Sequence, residues 1–227
     1  MNLLPYNRHV NARVWSLPAG PGHCAGFDGK ALACQHCYAA DGLHWLPGSL
    51  RANAERAGWM QRMRTVPDRS YQDYVDEMVR AVGKSPYVVV HESGDFTSSL
   101  DVVFWYHVMQ ACPKTKFWVR TRTYRKATDT HKMFLNRMAR LPNVVVRLSL
   151  RHKKEHVPKL MHSSTVSKDG PGCPKQQKGS CIKGKCRACW SQDVPNVEYK
   201  LHNTRPFKNG VNWPKFLDRQ RLHALEV

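Results

Sequence analysis

The chain has 227 residues, eight of them cysteine, a hydrophobic fraction of 41% and a formal net charge of +19. A chain of this length buries a real core without disulfides, and seven Trp, eight Tyr and seven Phe exclude a disordered tail. The opening "MNLLPYNRHVNARVW" carries no apolar leader, and no run reaches the length of a bilayer span, so an intracellular, cytoplasmic protein without a membrane partner is expected.

In chain order, residues 12–18 ("ARVWSLP") form a short β-prone run that leads into a glycine-containing cysteine loop. Residues 50–64 and 70–82 read as helices, with Ser70 as the N-cap of the second. Residues 87–93 ("YVVVHES") read as a buried strand, 98–110 as a helix with an apolar face, and 116–121 ("KFWVRT") as a strand. A helix at 128–140 and a fourth strand at 143–150 ("NVVVRLSL") complete the series. Strands alternating with helices predict a shortened parallel (β/α) sheet, either open or part of a barrel, with functional groups at the C-terminal strand ends. Residues 1–150 are therefore expected to form the α/β core. Residues 151–227 lose periodicity and are expected to be an irregular, basic, metal-stapled segment packed on it.

Charge is uneven along the chain. From Lys114 to Arg187 there are twenty Lys/Arg against Asp129, Glu155 and Asp169, whereas the first 113 residues are close to balance. A field of one sign over a folded region favours a polyanion, and DNA or RNA is the expected partner.

Two cysteine groups stand out. Cys24, Cys34 and Cys37 make C-x9-C-x2-C followed by Tyr38. Three thiolates on one loop can hold three irons of a [4Fe–4S] cluster and leave the fourth open. Zinc completed by His23 or His36 fits the same spacing equally well. Cys173, Cys181, Cys186 and Cys189 make C-x7-C-x4-C-x2-C with little apolar sequence between them. That set closes coordination on its own, so an auxiliary iron–sulfur cluster or a structural zinc is expected there. One cluster shared between the groups is a further alternative. Cys112, alone before Pro113, reads as a small buried hydrophobe.

At the strand ends, Glu92, Ser93, Gly94 and Asp95 follow the 87–93 strand. Carboxylates there can bind an ammonium group or a divalent cation; Asp95 and Ser98 as turn and cap residues are the ordinary alternative. Arg120 and Arg122 alternate at the end of the next strand, and Arg147, Ser149 and Arg151 on the fourth. They form a clamp for carboxylate or phosphate, or else face solvent. Trp118, Trp190 and other aromatics near the basic segments suit base stacking or a core.

The stretches "SLPAGPGHC…CQHCYA", "VHESGDF", "FWVRTRTY", "VVRLSLR" and "CPKQQKGSCIKGKCRACW" resemble the bacteriophage gene product 88 type. The cysteine loop is similar to that of radical S-adenosylmethionine enzymes. This resemblance implies a viral iron–sulfur protein with a shortened radical-SAM-like core, and it favours iron at the first cysteine group. It further implies that the open iron chelates S-adenosylmethionine. Tyr38, Ser93, Gly94 and Arg147 would then bind the cofactor, and Glu92, Asp95 and Arg122 would serve catalysis. The expected function is nucleic-acid binding, with modification by radical chemistry. The alternatives are a non-enzymatic iron–sulfur or zinc nucleic-acid binder, or a nuclease in which Glu92 and Asp95 hold a divalent metal.

Overall fold

The computed structural model describes residues 1–21, 23, 24, 27, 32–35, 37, 39, 46–65, 69–150, 154–167, 173, 181, 185–200 and 213–224. Among the described residues, seven strands form one sheet whose spatial order is the chain order: β1 Tyr6–Asn7, β2 Ala12–Trp15, β3 Tyr87–Val90, β4 Lys116–Thr121, β5 Val144–Ser149, β6 His162–Ser167 and β7 Asn196–Lys200. β1 and β2 are antiparallel; every later neighbouring pair is parallel. The described helices are α1 Leu32–Gln35, α2 Pro47–Thr65, α3 Tyr71–Val82, α4 Ser99–Ala111, α5 Asp129–Ala139 and α6 Trp213–Ala224. None is long and apolar enough to cross a membrane.

The helices form where local chemistry starts and stops them. Ser70 with Asp73 and Ser98 with Asp101 make capping boxes at α3 and α4, and Thr128 caps α5. Gly83, at φ 54°, ends α3. Asn143 reaches from the start of β5 to the far end of α4, its Nδ2 donating to the carbonyls of Met109, Cys112 and Thr115. That side chain satisfies backbone acceptors the helix end leaves open.

Parallel strands in sequential order, joined by right-handed crossovers, put their helices on one face. The core divides accordingly. Trp15, Val88, Val90, Phe117, Val119, Val144, Val146 and Leu148 pack with residues of α2–α5, including Trp59, Met60, Tyr74, Phe104 and Trp105. Burying each such side chain stabilises the fold by roughly 1.5–3 kcal/mol. The alternate strand residues Ala12, Val14, Val89 and Trp118 face the other way and pack with Cys181 and Trp190. Cys181, Cys189 and Trp190 thus pack on the sheet face that α2–α5 leave open.

The four strands expected from the sequence are β2 to β5. Residues 151–227 are not irregular throughout: β6 and β7 extend the sheet. β6, "HSSTVS", has a single aliphatic side chain, Val166, so hydrophobic patterning could not reveal it. It is held instead by ladder bonds and by the Ser163 hydroxyl, which bonds Asn196 Oδ1 at 2.8 Å.

Candidate metal centres and strand-end site

The first site forms where the exits of β2, β3 and β4 meet. β3 stops at Val90 because His91 turns the chain at φ 65°. Leu17 N then donates to Ser93 O at 3.1 Å, and Ser93 Oγ returns a bond to Leu17 O at 2.8 Å. Gly94 sits at φ +73°, where a Cβ would lie 2.7 Å from Leu17 Cβ and 2.8 Å from Pro18 O. Ser93 and Gly94, expected to hold a cofactor, are engaged in locking two loops of the chain together.

Asp95 is buried at the centre of this corner. Its Oδ1 accepts from Phe96 N and the Thr121 hydroxyl, and its Oδ2 from Arg122 N, each at 2.8 Å. Burial pushes its pKa up, against the pull of those bonds. Glu92 turns elsewhere: its Oε1 accepts from Asn7 Nδ2 at 2.5 Å, and its backbone N donates to Trp15 O. Glu92 and Asp95, expected as a divalent-cation pair, each accept from different protein donors.

Arg122 joins this corner to the cysteine loop. Its Nη1 donates to Cys34 Sγ at 3.2 Å and its Nη2 to Leu150 O at 3.2 Å, bridging the exits of β4 and β5. The Cys24 thiol is pushed far up the pH scale by burial, then by the Asp95 carboxylate, with Cys37 and Cys34 adding to the effect. The three sulfurs and Asp95 are thus electrostatic neighbours. Among the described residues, however, no three His, Cys, Asp or Glu side chains stand close enough to hold a metal ion as placed. None of the eight cysteines, all described, forms a disulfide. The donor chemistry nonetheless fits an iron–sulfur cluster: three cysteines share one strand-end corner, and a guanidinium donates to one sulfur, a bond that strengthens when the sulfur is anionic. Tyr38 and His36 lie outside the described residues. His23 lines a cleft of about 400 Å³ with Leu17, Pro18, Ala57, Gly58, Gln61, Arg64 and Thr97.

The second group lies against the face of β4, β5 and β7. Cys189 senses Cys173 and Cys181, and its thiol is pushed up to about 11, first by burial. Its Sγ is 3.5 Å from the Tyr199 hydroxyl. Cys186 N donates to Cys181 O, and Cys181 N to His9 O in the β1–β2 hairpin. Arg147 belongs here and not with Arg122. It lies directly opposite Arg120 in the β4–β5 register, and its guanidinium is occupied by backbone carbonyls of residues 163 and 188–194. Trp118 and Trp190 pack edge to face at 5.2 Å, so both serve this core. Arg187 donates to Val10 O and its guanidinium lies 4.5 Å from the Tyr87 ring centroid. Sequence reasoning passed over Tyr199. The alternation of "NVEYK", with Val197 and Tyr199 on one face, was the available signal.

Exposed cations border the first site. Lys126, on the helical turn Thr123–Lys126, donates to Phe27 O at 3.0 Å in the cysteine loop. Arg125 pairs with Glu155 at 2.7 Å, and Lys154 is exposed beside it in sequence. Arg151, Lys175, Lys178 and Lys183 lie outside the described residues.

A family model described as gene product 88 matches residues 3–171, ending two residues before Cys173. No curated protein and no solved structure matches the chain.

Proposed function

The chain belongs to the gene product 88 family, a family of phage gene products, and from that premise we propose that it is an iron–sulfur protein that binds nucleic acid. The Arg122–Cys34 hydrogen bond carries this reading. It ties the three-cysteine loop to the C-terminal strand ends, where parallel α/β sheets bind their ligands. Cys24, Cys34 and Cys37 would hold the cluster, which would supply one-electron transfer and one iron open to a further ligand. Arg122 orients the loop and offsets thiolate charge. Asp95 fixes the Arg122 backbone. Lys126 and Arg125 face outward beside the loop and meet phosphates there.

A second reading, a radical S-adenosylmethionine enzyme acting on the bound nucleic acid, is favoured by the singly wound order of β2–β7 and by the position of the cysteine loop after β2. Against it, Ser93, Gly94 and Arg147 are engaged within the fold.

Anaerobically purified protein titrated with single-stranded and duplex oligonucleotides at several salt concentrations tests the main reading. Iron-loaded protein should bind with an affinity that falls steeply with salt; iron-loaded protein that ignores both oligonucleotides would refute it. Electron paramagnetic resonance of the reduced protein separates the second reading, which requires the cluster signal to shift on adding S-adenosylmethionine.

A further inference from the structure

Arg147 is fully enclosed in the middle of β5, at 0% exposure. Its Nε donates to Cys189 O at 3.2 Å and its Nη1 to Ser163 O at 3.3 Å. Its Nη2 reaches Ala188 O and Val194 O at 2.8 Å and Ser191 O at 3.1 Å. All five acceptors are neutral carbonyls, and no described carboxylate forms an ion pair with it. A guanidinium keeps its proton, so the fold buries a permanent positive charge. Leaving such a charge without an anion costs several kcal/mol even after relaxation. The neighbouring groups able to carry negative charge are the Cys189 thiol and the Tyr199 phenol, whose hydroxyl is 3.5 Å from Cys189 Sγ. Cys189 in turn neighbours Cys173 and Cys181, and Cys186 is bonded through its backbone to Cys181.

Four thiolates on a divalent metal, or on a cluster core of charge 2+, leave a net charge of about −2. We propose that Cys173, Cys181, Cys186 and Cys189 hold such an anionic tetrathiolate centre, and that Arg147 and the Tyr199 hydroxyl are its positioning residues, one as buried counter-charge and one as hydrogen-bond donor to Cys189. The thiols release their protons to solvent as the metal binds. The centre is closed by its four sulfurs and fastens Cys181, Cys189 and Trp190 to the sheet face opposite α2–α5. This inference stands independently of the first cysteine group, zinc and iron being two sources of the same chemistry.

The test uses the full chain carrying Cys24→Ser, Cys34→Ser and Cys37→Ser, purified anaerobically and assayed for zinc, iron and sulfide. One zinc, or about four irons with about four sulfides, is expected per chain; a chain without either overturns the proposal. In that background, Arg147→Met should shorten the half-time of metal loss to excess EDTA ~10-fold, with Arg147→Lys recovering part of it. Unchanged loss from folded Arg147→Met protein overturns the counter-charge role. Tyr199→Phe, nearly isosteric, should shift the thiolate-to-metal absorption of cobalt-exchanged protein, or the midpoint potential of iron-loaded protein. An unmoved band or potential overturns the donor role. Should Arg147→Met fail to fold, the Tyr199→Phe result decides for or against the proposal alone.

Discussion

Arg122 Nη1 lies 3.2 Å from Cys34 Sγ, while Nη2 of the same guanidinium binds Leu150 O. One side chain thereby couples the cysteine loop to the ends of two parallel strands. Loss of an outer partner of a metal ligand typically lowers metal retention 10- to 100-fold. Arg122→Met is therefore expected to lower iron per chain after anaerobic purification and to speed cluster bleaching by EDTA. Its unfolding midpoint should stay near that of the parent. Arg122→Lys keeps the charge but cannot bridge both acceptors, so it should recover retention only in part.

Gly94 is the position where the β2 and β3 exits press together. At φ +73° any L side chain is strained, and a Cβ 2.7 Å from Leu17 Cβ forces the two loops apart. Gly94→Ala should cost about 2–4 kcal/mol, read as a lower urea midpoint with an unchanged slope. A midpoint equal to the parent's would mean the two loops are not held against each other.

His91 makes stability fall in acid. It is buried at φ 65°, its ring nitrogens have no hydrogen-bond partner among the described residues, and its ring packs on Phe96 with centroids 4.4 Å apart. Burial lowers its pKa from 6.5 to about 3; Asp101 opposes the shift, while Arg120 and His131 add to it. A neutral imidazole of this kind contributes stability that is complete above pH 6.5 and lost as the pH falls towards 3. Between pH 7 and pH 5 that loss is up to about 2 kcal/mol. His91→Asn tolerates the positive φ and does not titrate. Urea unfolding at the two pH values should show a smaller difference in this variant than in the parent.

Lys126 lies at the rim of the cysteine loop, bonded to Phe27 O. If the rim meets phosphates, Lys126→Ala should weaken binding of all oligonucleotide sequences alike and reduce the slope of log affinity against log salt by about 0.7–0.9. An unchanged slope would place the polyanion elsewhere on the protein.

β3, β4 and β5 were legible because three valines in β3 and in β5, and Phe117, Trp118 and Val119 in β4, make continuous apolar runs, as strands buried on both faces require. β6 was not, since His162–Ser167 is polar and carries one aliphatic side chain, Val166. The cysteine groups were legible from spacing, but their surroundings were not. Arg122 and Arg147 look equivalent as arginines of alternating strands. Arg122 stands one residue past the end of β4 and reaches the cysteine loop. Arg147 stands within β5, opposite Arg120, beneath a segment some forty residues later in the chain. Position along the strand, which depends on where pairing stops, separated their roles. Ser93 and Gly94 were likewise visible as special residues, yet their partners, Leu17 and Pro18, come from a loop that only the sheet order brings near.

The measurement that bears most directly on the account is iron and sulfide per chain after anaerobic purification, compared between the parent and the triple Cys24→Ser, Cys34→Ser, Cys37→Ser variant. The account predicts that the variant loses about four irons and about four sulfides relative to the parent. A parent containing zinc alone, or a variant that keeps all of the parent's iron, would contradict it.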